Sequence, residues 1–124
     1  MYAYDPINNK WSTKAPPPTP RALLTLATAN GIIYAIGGFD KQGPVSAFEA
    51  YDIASDKWIT LAPTIVRGRQ ALHSEVVNGT LYVISGEGSG GSTGPVASVL
   101  AVTAYTLPTL ESSRGSSQDS VPKP

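Results

Sequence analysis

Apolar residues in this chain come in short runs broken by turn-forming residues, and no run keeps the spacing of a helix face. Leu23–Ala29 and Ile32–Gly37 flank Asn30-Gly31, and Ala71–Val77 and Thr80–Ser85 flank Asn78-Gly79. Asn-Gly between two apolar runs is a strong signal for a tight hairpin, because both central residues of a type I′ turn need positive φ. Each pair of runs is therefore predicted to form two antiparallel strands. Ser46–Asp52 and Lys57–Thr60 read as a third and fourth strand, joined by the turn-forming stretch Ile53–Asp56. Few strong helix formers occur in succession, so the fold class expected is all-β, with four-stranded antiparallel units.

These units repeat. Tyr4-Asp5 followed by Lys10-Trp11 recurs 47 residues later as Tyr51-Asp52 followed by Lys57-Trp58, and Ala15-Pro16 recurs as Ala62-Pro63. Arg21 and the stretch Asn30–Gly38 recur 48 residues later as Arg69 and Asn78–Gly86. One inserted loop residue separates the two registers. A strand-bearing period of this length is the mark of a β-propeller, in which each repeat is one blade.

The ordered set of Arg, Asn-Gly, Tyr, Gly-Gly, Tyr-Asp and Trp resembles the Kelch motif over roughly residues 2–107. The resemblance implies a Kelch-type β-propeller fragment. Residues 1–20 would supply the last two strands of one blade and a Pro-rich linker, and residues 21–62 a complete blade. Residues 63–107 would supply a blade lacking its last strand. The second unit departs from the pattern: Ser85 replaces the first glycine of the pair, and Tyr105 lies 54 residues beyond Tyr51 and is followed by Thr106 rather than Asp. No Trp follows, and the polar stretch 108–124 is expected to be a disordered tail. Two and a half blades fall short of the three or more units a repeat protein usually needs to bury a continuous core. Three alternatives follow: a fragment, which is the reading preferred, a homo-oligomer that closes one ring, or completion by other propeller blades.

Nine basic and nine acidic side chains cancel, so no electrostatic footprint points to nucleic acid or an anionic membrane. The apolar runs are far shorter than the roughly 20 residues that span a bilayer. A soluble chain is expected, with cytoplasm slightly favoured, and its opening residues read as a strand rather than a signal segment. There is no cysteine and one histidine, His73, which leaves no nitrogen–sulfur metal set; no cofactor is expected.

Several motifs have a plainer structural reading. Gly86–Gly91 matches the letters of a dinucleotide-binding loop, and Gly90–Gly94 those of a nucleophile elbow, but Ser92-Thr93-Gly94-Pro95 cannot open the helix either one requires. Asn78-Gly79-Thr80 has the form of a glycosylation sequon and is explained as a turn. Ala15–Pro20 is expected to be a stiff connection between blades. The recurring Trp and Tyr residues are expected to pack between blades, and Arg21 and Arg69 to tie neighbouring blades through carbonyls.

Function is left to what does not repeat. The connections Phe39–Pro44 and Glu87–Pro95 differ in length and chemistry, and loops on a rigid frame are where binding concentrates. Asp40, Lys41, Arg67 and Glu87 are the expected contact residues. Proteins with similar Kelch repeats commonly bind other proteins through such loops, so the resemblance implies a non-catalytic scaffold with a protein partner. The alternative is a piece of a carbohydrate-active Kelch propeller resembling sialic-acid epimerases or mutarotases. The copper-radical oxidase branch needs a cysteine this chain lacks.

Overall fold

The computed structural model describes residues 1–61, 69–88 and 103–106, with Arg69 and the last four described by their backbone. Arg67, most of the connection after Glu87 and the 108–124 tail lie outside the described residues. Among the described residues all regular elements are strands. They are β1 (Tyr2–Asp5), β2 (Lys10–Thr13), β3 (Thr25–Ala29), β4 (Ile32–Ile36), β5 (Phe39–Asp40), β6 (Gly43–Pro44) and β7 (Phe48–Asp52). After these come β8 (Lys57–Thr60), β9 (Arg69–Gln70), β10 (His73–Val77), β11 (Thr80–Ile84), β12 (Glu87–Gly88) and β13 (Thr103–Thr106). Among the described residues no helix is long and apolar enough to cross a membrane.

β3, β4, β7 and β8 form one antiparallel sheet in that order, which is the complete blade expected from the repeat. β10, β11 and β13 reproduce its first three strands, and β1–β2 form a hairpin in the register of β7–β8. Tyr4 pairs with Trp11 as Tyr51 pairs with Trp58, and the ring centroids lie 5.0 and 5.2 Å apart. Both Asn-Gly turns have the expected left-handed backbone, with φ 51° and 75° at Asn30-Gly31 and 51° and 74° at Asn78-Gly79.

Five strand limits differ from expectation, four of them at a left-handed residue. β3 starts at Thr25 rather than Leu23, and β10 at His73 rather than Ala71, because Leu23 and Ala71 have φ of 53° and 52° and break the strand geometry. β4 and β11 stop before Gly37 and Ser85, which share φ 63°. β7 starts at Phe48 because the preceding residue, Ala47, accepts the Gly37 N–H across the bend instead of extending the ladder. Phe39–Pro44 is itself a miniature hairpin, β5–β6, and its counterpart after β11 pairs β12 with β9.

The core lies between the two units. Because paired residues on neighbouring strands share a face, Ala27, Ile32, Tyr34, Ile36, Phe48 and Ala50 form one apolar surface of the blade. That surface is buried against Leu81, with Leu72, Val76 and Val83 packed around it. The buried hydroxyls of Thr25 and Ser74 meet across the seam at 2.8 Å, and the Ala71 N–H donates to the Leu23 carbonyl at 3.0 Å. The left-handed turn at Leu23 lets a carbonyl beside β3 face the next unit.

The opposite face of the blade holds a buried ion pair. Arg21 Nη1 lies 2.6 Å from Glu49 Oε2, and both side chains are 1% exposed. The guanidinium also donates to the carbonyls of Gly37, Thr19 and Ala35, while Thr19 donates its hydroxyl to the other Glu49 oxygen. Arg21 therefore ties its own blade to the Pro-rich connection rather than bridging two blades. Trp58, whose indole N–H donates to the Ala15 carbonyl at 2.9 Å, and Asp56, which accepts the Ala15 N–H, fasten the other end of the same connection. Glu49 sits in register with Ala35, and the second unit has Thr103 in the corresponding place opposite Val83.

Candidate protein-binding face

Antiparallel strands sort the connections by end. The Asn-Gly turns and the turn 53–56 lie at one end of the units, whereas β5–β6, β9–β12 and the connection that carries Leu23 lie at the other. The two Asn-Gly turns are identical in sequence, and the connections at the other end are not.

The β5–β6 hairpin is shaped from within. Asp40 Oδ1 accepts the Gln42 N–H at 2.8 Å, Gly43 turns at φ 126°, and Val45 donates back to the Gly38 carbonyl at 2.9 Å. Its base is fastened to the preceding connection by two backbone bonds between Ala22 and Phe39, at 2.8 and 2.9 Å. Gly38 makes this approach feasible: at φ 112°, a Cβ there would stand 2.8 Å from the Ala22 carbonyl oxygen. In the second unit Glu87 occupies the place of Phe39, pairs with Gln70 and accepts its side-chain amide at 3.2 Å.

The expected contact residues thus divide. Asp40 serves mainly to hold the hairpin turn, and Glu87 engages Gln70. Lys41 stands exposed at the hairpin tip. The hairpin holds Asp40 and Lys41 together, with Glu87 on the matching strand of the next unit. Two further exposed residues belong to this end: Phe39, and Leu23, which is 58% exposed despite its left-handed backbone. Nothing in the residue pattern marks Leu23, since leucine is the last residue expected at positive φ. Phe39 could have been found by noting that the repeat places Glu87 opposite it.

The perturbed titrating groups are structural, and Tyr51 and Asp56 lie at the end opposite β5–β6. The hydrogen bond to Asp56 at 2.6 Å pushes the Tyr51 hydroxyl up to about 12. That bond, followed by the Ala15 N–H, holds the Asp56 carboxyl below its ordinary range. Asp5 is held low by the Asn8 side chain and by the N–H groups of Asn8 and Ile7. Among the described residues no three His, Asp or Glu side chains converge as a metal site would require, and His73 is exposed on β10.

The Kelch motif model matches residues 20–64, which span the complete blade. The chain belongs to the Kelch-repeat family. It is 31% identical to Kelch-like protein 41a of Danio rerio over 86 residues, or 69% of this chain and 14% of that protein. It is 34% identical to the F-box/kelch-repeat protein SKIP11 of Arabidopsis thaliana over 95 residues, or 76% of this chain and 20% of that protein. Among solved structures it is similar to YjhT, with a TM-score of 0.58 and 27% identity, covering 64% of this chain and 25% of that one. The chain therefore spans 14 to 20% of the length of these curated Kelch relatives. Arg21, Tyr34, Gly37-Gly38, Tyr51-Asp52 and Trp58, the residues that suggested Kelch blades, all fall within the matched segment and hold the blade together.

Proposed function

We propose that this Kelch-repeat chain is a non-catalytic scaffold that binds a protein partner through the end carrying β5–β6 and β9–β12. One observation carries the reading: two units with matching backbone angles share identical Asn-Gly turns at one end and present unlike connections at the other. Lys41, Phe39 and Glu87 are the contact residues proposed from the described part of the face; Arg67 belongs to the same set by its place in the sequence. Asp40 contributes by shaping the hairpin.

Peptides selected by display against the chain test this. Binding is expected to fall at least tenfold for Lys41→Glu and for Glu87→Lys, and to be unchanged for Ala54→Glu at the opposite end. Equal loss in all three variants would refute the assignment of the face. The carbohydrate-active alternative is tested by the rate at which the α and β anomers of sialic acid interconvert, followed through their C3 proton signals by NMR, and acceleration by the chain would overturn the non-catalytic reading.

A further inference from the structure

The seam between the two units has a front and a back, and the chain carries a further copy of each. The front is the surface of the first unit that contains Thr25, Tyr34 and Ile36; Tyr34 is 3% and Ile36 1% exposed beneath the second unit. Forty-eight residues on, the same positions of the second unit hold His73, Tyr82 and Ile84, facing away from the first unit. There His73 is exposed, Tyr82 is half-buried and Ile84 is 38% exposed, and Val77 beside them is 49% exposed. The back of the seam contains Ser74, Val76 and Leu81, and its counterparts on the first unit are Leu26, Thr28 and Ile33. Leu26 is 57% exposed.

We propose that these two surfaces are partners, so that the outward face of the second unit docks on the first unit of another copy of this chain, head to tail. The intrachain seam supplies the geometry. As Thr25 meets Ser74 within the chain, His73 of one copy meets Leu26 of the next. As Leu23 presents its carbonyl to the Ala71 N–H, Ala71, with the same backbone angle, presents its carbonyl to the next copy. A heterologous contact of this kind propagates, closing into a ring or extending into a chain of copies. In that arrangement β1, whose outer edge carries no strand among the described residues, reaches the edge of β11 that β13 holds within one copy, and the two strands exchange. Glu75 weakens the contact relative to the seam inside the chain, because it stands where Ala27 is buried and brings in a carboxylate, while Arg21 on the facing side is already paired with Glu49.

The absence of cysteine in the chain makes the geometry directly testable. A Thr25→Cys/Ser74→Cys variant is expected to form an intramolecular disulfide, which checks the template, since the two hydroxyls are 2.8 Å apart. Under the same oxidation, Leu26→Cys mixed with His73→Cys should give a mixed dimer, and the double variant Leu26→Cys/His73→Cys a ladder of larger species. Light scattering over a concentration series should show parent mass rising with concentration. Leu26→Glu and Ile84→Glu should each remain monomeric, whereas their equimolar mixture should recover a dimer and nothing larger, because each retains the surface the other has lost. Glu75→Ala should shift association to at least tenfold lower concentration. A parent that stays monomeric throughout, a mixture that fails to complement, or disulfides that join only Leu26→Cys to itself would overturn the proposal. The loop-end binding test above reads a different surface, so either can fail without the other.

Discussion

Replacing Glu49 with glutamine should be among the most damaging conservative changes in the chain. Glutamine preserves the shape of the side chain and an oxygen for the Thr19 hydroxyl, but it leaves the Arg21 guanidinium buried without a counter-charge. Both side chains are 1% exposed in the parent, so water is poorly placed to compensate. Removing one member of such a pair costs about 3–5 kcal/mol. With a urea slope of about 2 kcal/mol per molar for a domain of this size, the unfolding midpoint should fall by about 2 M. Intrinsic fluorescence is a suitable probe, because the Trp58 indole is bonded to Ala15 across the connection that Arg21 holds. Arg21→Met/Glu49→Leu should recover only part of the loss. It removes the buried charge, but it strands the carbonyls of Thr19, Ala35 and Gly37, each worth about 1 kcal/mol. A Glu49→Gln midpoint within about 0.5 kcal/mol of the parent would refute the reasoning, since that is the size of an ordinary surface change.

Four further outcomes are expected. Gly38→Ala should cost about 2–4 kcal/mol by thermal unfolding, because the new Cβ meets the Ala22 carbonyl and Arg21 Cδ at a left-handed φ. Gly31→Ala, with nothing within 4 Å of the added Cβ, should cost only the conformational term of about 1 kcal/mol. Leu23→Gly should stabilise the chain by up to about 1 kcal/mol, since it relieves a left-handed leucine whose side chain is mostly exposed, offset in part by the added freedom of the unfolded chain. The Tyr51–Asp56 bond should make stability fall at both pH extremes. Tyr51 is raised from 10.0 to about 12, so its contribution is complete below pH 10 and is lost as pH rises through about 12. Asp56 is lowered from 3.8, so its contribution is present above that value and is lost as pH falls below it. In an ultraviolet titration, Asp56→Asn should return one late-titrating tyrosine toward 10.0 and flatten the acid limb of the stability profile.

The repeat, the main strands of each blade, the Asn-Gly hairpin turns and the Kelch family were legible in the residues, because each rests on local chemistry; the short pairs β5–β6 and β9–β12 were not. Asn-Gly tolerates positive φ, alternating apolar residues suit a half-buried strand, and a motif that recurs after 47 or 48 residues must recur as structure. Arg21 was legible as a structural residue but not in its partner. Glu49 lies 28 residues away, and only the β4–β7 register, which sets it against Ala35, brings the carboxylate over the guanidinium. Asp40 reads as a contact residue in the sequence, and its further part in shaping the hairpin, through the Gln42 N–H, is visible only in the fold. Leu23 and Ala71 extend their apolar runs in the sequence, yet both adopt left-handed backbone, which at Leu23 turns the carbonyl toward the Ala71 N–H of the neighbouring unit. Sequence pattern determined what each strand is; the packing of one blade against the next decided where strands stop, which charges are buried and which surfaces remain open.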